Sequence, residues 1–71
     1  MYKLIVYQVF LEEVADFIED YFRNPDEIFR NIELIQGEEY DEVIIKTNDY
    51  DLAEDLEFAM DSVNMLYDYL G

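Results

Sequence analysis

The chain has 71 residues, 52% of them hydrophobic and 17% aromatic, and nineteen Asp and Glu against four Lys and Arg leave a net charge of −15. That apolar content excludes a disordered acidic tail, and the length fits one domain, burying only about 60% of the surface its unfolded chain exposes. The charge excludes nucleic acid and anionic membranes as natural partners and points to cationic ones, while the absence of Cys rules out disulfides and thiolate metal sites and agrees with a reducing cytoplasm.

The first segment, "KLIVYQVFL", is a continuous apolar run rich in β-branched residues and predicts a strand over about residues 3–10. It is far short of the roughly 20 residues of a membrane span and has no basic region or small-residue cleavage site, so a signal peptide is not expected. From Leu11 the period changes. Val14, Phe17, Ile18, Tyr21 and Phe22 follow helical spacing, with Glu12, Asp16 and Glu19 opposite them and Glu13 and Asp20 beside. Pro25 disfavours helix at Asn24 and closes this element.

A short helical turn at Pro25–Arg30 leads to "IELIQ" and "VIIKT", two β-like runs around "GEEYDE". They predict a hairpin with Glu38, Glu39, Asp41 and Glu42 at its tip. The last segment, about Asp51 to Leu70, places Leu52, Leu56, Met60, Val63, Tyr67 and Leu70 on one helical stripe, with Asn48 or Asp49 as cap. Glu54, Glu57, Asp61 and Asp68 then form a row on the other side, advancing by roughly 4.5, 6 and 10.5 Å. Duplex DNA carries a phosphate about every 3.4 Å of axis on each strand, so such a row is a sparse phosphate track. The expected fold is a single α+β domain over residues 1–71, of order β-α-β-β-α, with a three-stranded sheet and two amphipathic helices.

Several chemistries do not fit this pattern. "NDYDLAED" groups Asp49, Asp51 and Asp55 but lacks the Gly and the spacing of a calcium loop, so no metal and no cofactor are expected. Paired carboxylates for glycoside hydrolysis need a walled cleft, and no His or Cys offers another constellation, so no enzyme activity is expected. The aromatics cannot be a base-stacking platform, because such sites need a basic groove. Asp61-Ser62-Val63 resembles the Asp-Ser-Leu motif of acyl carrier proteins, which makes an acidic carrier or adaptor domain, with Ser62 modified, the alternative reading. A purely solubility-adapted acidic interaction domain is the bland one, but surfaces of that kind usually mix both signs of charge.

The whole chain, in segments such as "MYKLIVYQVFLEEVADFIEDYF" and "LAEDLEFAMDSVNMLYDYLG", resembles the small acidic DNA-mimic proteins of bacteriophages, and most of all those that inhibit the bacterial nucleoid protein HU. The resemblance implies a protein that occupies the DNA-binding surface of HU in the host cytoplasm or nucleoid and displaces DNA. The partner-binding residues expected are Glu12, Asp16, Glu19, Glu38, Glu39, Asp41, Glu42, Glu54, Glu57, Asp61 and Asp68.

A homodimer is also expected, since the first strand would lie at a sheet edge without the charges or Pro that protect an edge. Ile5, Tyr7 and Val9, together with a second stripe of Phe58, Met65 and Tyr69 on the last helix, are the interface candidates.

Overall fold

A computed structural model describes residues 1–71. Its elements in chain order are β1 (Tyr2–Tyr7), α1 (Leu11–Tyr21), α2 (Pro25–Arg30), β2 (Ile32–Gln36), β3 (Glu42–Thr47), α3 (Tyr50–Ser62) and β4 (Tyr67–Tyr69). The α+β class holds, but the sheet has four strands, not three, in the antiparallel order β2-β3-β1-β4.

Alternation along the strands decides what the helices cover. Leu4 and Val6 of β1 and Val43 and Ile45 of β3 are buried, and they join Val14 and Ile18 of α1 and Leu52, Leu56 and Met60 of α3 in one core cluster. Ile28 and Phe29 of α2 pack against the same cluster. Full burial of side chains such as Ile18 or Leu56 contributes about 1.5–3 kcal/mol each. Thr47 is the one buried polar residue, and its hydroxyl is fully used: it donates to the Asn31 carbonyl at 2.8 Å and accepts from the Asp49 amide at 3.1 Å.

Local signals explain the element ends. Pro25 stands at the first position of α2, where its missing N–H is no loss. The Asp49 carboxylate caps α3 by accepting from the Leu52 amide at 3.3 Å. Gly37 admits no side chain, because a Cβ there would lie 2.6 Å from the Glu42 Cβ.

The last segment departs most from the helix expected over 51–70. α3 stops at Ser62, and Asn64 takes a left-handed conformation at φ 61°. The Met65 amide bonds back to the Met60 carbonyl at 3.0 Å and the Asn64 amide to the Asp61 carbonyl at 3.2 Å, the paired closure of a Schellman motif. The chain then returns as β4 along β1, with Leu4 opposite Tyr69 and Val6 opposite Tyr67. The Tyr7 amide donates to the Leu66 carbonyl and the Leu70 amide to the Lys3 carbonyl, extending the ladder beyond β4. β1 is therefore interior, and its edge is covered by this chain's own C-terminal strand. No helix is long and apolar enough to cross a membrane.

Candidate functional site

All the charged residues of α1 are acids (Glu12, Glu13, Asp16, Glu19, Asp20), and so are those of α3 (Asp51, Glu54, Asp55, Glu57, Asp61). Each of these side chains is exposed except Glu57, which is half-buried. The placement opposes helix stability in two ways. Glu12–Asp16, Asp16–Asp20, Asp51–Asp55 and Glu57–Asp61 are like-charge neighbours four residues apart, each unfavourable by about 0.2–0.5 kcal/mol. Neither helix has a base in its last turn, where Glu19, Asp20 and Asp61 face the negative end of the macrodipole. Only Glu12, Glu13 and Asp51, in first turns, are favourably placed.

The hairpin tip joins α1 to form one patch. The Gln36 side-chain amide donates to the carbonyls of Glu39, Tyr40 and Glu42 at 2.8, 3.1 and 2.9 Å, which fixes the loop. The Val9 amide reaches the Asp41 carbonyl at 3.2 Å, and the Phe10 ring lies 5.9 Å from that of Tyr40. The Phe10 amide in turn donates to the Glu13 carboxylate at 2.9 Å. Glu38 and Glu39 are exposed on this tip and Asp41 is half-buried. Glu42 is the first residue of β3, opposite Tyr7, and so belongs to the sheet.

On α3, Glu54 and Asp61 flank Phe58, which is 72% exposed with Asp55 beside it. An apolar ring thus stands amid carboxylates. The Tyr67 hydroxyl of β4 donates to Asp61 at 3.0 Å and approaches Glu57 at 3.4 Å. Burial first, then the Asp61 hydrogen bond and the nearby carboxylate charges, push the Tyr67 phenol up to about 12.

The expected row of four does not survive. Glu54, Glu57 and Asp61 stay together on α3, but Asp68 is on β4, opposite Ile5, on the sheet face away from the helices, where it accepts a 2.7 Å hydrogen bond from Tyr7. That bond, with burial and the charges of Asp68 and Glu42, raises the Tyr7 phenol above its ordinary value. The second stripe dissolves as well. Met65 and Tyr69 pack against the core, as does Val9, leaving Phe58 alone on the surface and Ile5 and Tyr7 on the open sheet face. Sequence reasoning missed Phe10 and Tyr40, whose rings join the start of α1 to the hairpin tip. A Phe directly before a helix start and an aromatic inside an acidic turn were the available signals.

Ser62 ends α3, its hydroxyl donating to the Ala59 carbonyl at 2.7 Å and lying 3.3 Å from the Tyr21 hydroxyl. A carrier serine stands at a helix start in an all-helical fold, and neither condition is met by a last-turn Ser beside a four-stranded sheet. No group of three or more acidic, His or Cys side chains converges in a way that could hold a metal ion.

A scan of protein-family models finds no match to this chain, and searches of curated proteins and of solved structures likewise find none.

Proposed function

We propose that the protein is a DNA-mimic inhibitor that binds the DNA-contacting surface of a basic protein and excludes DNA from it. One observation carries the reading: the exposed faces of α1 and α3 hold acids without a single base, including positions where those acids weaken their own helices. A surface selected for solubility or stability would place Lys or Arg in the last turns and at i, i+4 from the acids. Carboxylates on a rigid, packed scaffold can meet several Lys and Arg at once, and their long-range field speeds encounter. The phage-mimic resemblance selects HU as the candidate partner. Phe58 and the Phe10–Tyr40 pair add apolar contact within the charged surface, a feature that phosphates lack.

The test is a gel-shift competition between this protein and duplex DNA for purified HU at several salt concentrations, with an equally acidic unrelated protein as control. DNA should be displaced at moderate salt, and binding of the protein should weaken with salt less steeply than that of DNA, which releases condensed counterions. DNA retained under excess protein, or displaced equally well by the control, would refute the proposal.

A further inference from the structure

The sheet has a second face that no helix covers. In register across it lie Glu33, Lys46 and Lys3, then Ile35, Ile44, Ile5 and Asp68, then Glu42 and Tyr7. None of the three isoleucines belongs to the core cluster or packs against it. They make an apolar row across three neighbouring strands, with two of the chain's four bases along one side and Glu42 along the other.

We infer that this open face is where two copies of the chain associate, sheet against sheet, about a two-fold axis along the isoleucine row. Such an axis lays each isoleucine near its own counterpart and exchanges the flanking rows. Lys46 of each copy then lies over Glu42 of the other and Lys3 over Tyr7, while the two Asp68 carboxylates, which end the row, meet across the axis with a Lys3 ammonium on either side of them. A two-fold axis along the strands would instead set Lys46 against Lys46. The self-complementarity is therefore specific to one arrangement, and aligned sheet packing permits it.

Charge also selects the occupant. A chain of net charge −15 repels its copies nearly everywhere, whereas this face mixes Lys3 and Lys46 with Glu33, Glu42 and Asp68 and comes close to neutral. A basic protein would be drawn to the helical side, leaving this side to a surface with the same balance of charges. Four strands about 4.8 Å apart and six residues at about 3.3 Å each give a face of about 400 Å² per copy, so the association belongs to the weak, reversible class. It would hold two acidic helical layers facing outward in opposite directions, and it stands whether or not those layers mimic DNA.

Sedimentation equilibrium in about 0.15 M salt, where the Debye length is about 8 Å, tests this on the full chain. From about 10 μM to about 1 mM, the range expected of so small an interface, the average mass should climb from 8.6 kDa toward twice that value. Lys46→Glu and Glu42→Lys should each stay monomeric over the whole range, while an equimolar mixture of the two should dimerise as the parent does, since each then meets the opposite charge. Rescue by mixing also shows that both variants fold. A parent that remains monomeric, single reversals that leave the dimer intact, or a mixture that fails to associate would each overturn the inference; the second result would place the contact at a strand edge or at Phe58.

Discussion

The two sides of one sheet teach different things. Val43, Ile45 and Thr47 of β3 point into a packed core beneath α1 and α3, whose charged residues are all acids, while Glu42, Ile44 and Lys46, interleaved with them, point to a face with both signs of charge. Net charge is a property of the whole chain, but the segregation is what suggests recognition. Bases are absent from α1 and α3; Lys3 and Lys46 stand on the bare sheet face, and Arg23 and Arg30 lie just after α1 and at the end of α2. A protein that needed only to stay in solution would have no reason to keep bases off these two helices.

Removing equal bulk from the two sides of the sheet should have unequal consequences. Leu56→Ala leaves a cavity in the core and should lower unfolding stability by about 2–5 kcal/mol in urea denaturation. Ile44→Ala removes a half-buried side chain outside the core cluster and should cost about 1 kcal/mol or less when measured below the association range. Equal losses would mean that the open face is packed as a core.

Part of this contrast was legible in the sequence. The period change at Leu11, the Pro25 stop and the hairpin around Gly37 are local signals, and α1, α2, β2 and β3 form where those signals place them. The end of α3 was not legible, because Val63, Tyr67 and Leu70 continue the helical spacing of Leu56 and Met60 by coincidence. What overrides that spacing is tertiary: β1 has an edge of backbone donors and acceptors that "YDY" can satisfy, and Asn64 tolerates the left-handed turn that lets it return. Once the helix ends, Asp68 leaves the acidic row and Met65 and Tyr69 leave the surface. The acids of α1 and α3 were readable because helical phase fixes which side they occupy; their relation to the hairpin tip depends on the Phe10–Tyr40 contact, which no local pattern announces.

Replacing Glu54 and Glu57 by Gln and Asp61 by Asn together should weaken binding to the basic partner by about 10- to 100-fold, since exposed pairs contribute about 0–1 kcal/mol each and three are lost. Unfolding stability should hold or rise, because the Glu54–Glu57 and Glu57–Asp61 repulsions disappear with them. Titration calorimetry and urea denaturation on the same variant read both quantities. Unchanged affinity would move the contact to the patch of Glu12, Glu13, Glu38 and Glu39.

A smaller effect tests how β4 is tied to the acidic helix. The Tyr67 phenol is pushed up to about 12 from its ordinary 10.0, so the folded state favours the protonated form. Its contribution to stability is complete below pH 10 and is lost as pH rises from there through 12, when the phenolate meets Asp61 and Glu57. Tyr67→Phe should therefore remove about 1 kcal/mol at neutral pH and flatten the alkaline fall in stability. Phenolate absorbance should show one late-titrating group fewer than the parent, in which Tyr7 and Tyr69 are also raised. An unaltered late phase would leave Tyr67 without the bond to Asp61.

The smallest expected effect is the control that gives the others their meaning. Asp68→Asn and Glu33→Gln remove acids of the same kind as those on α3, but from the open face, with β4 and β2 holding them on the side opposite the helices. If recognition is by the helical layer, each should change affinity for the basic partner by no more than about twofold, which is within the weight of one distant, screened charge. Asp68→Asn should at the same time lower the Tyr7 phenol toward its ordinary value, because the carboxylate hydrogen bond is the largest cause of its rise. That second reading verifies that the substitution has altered its own surroundings, so that unchanged affinity cannot be put down to an ineffective variant. A loss equal to that of a single α3 acid would mean that the partner senses total charge alone, and the division between the two sides of the sheet would have no part in recognition.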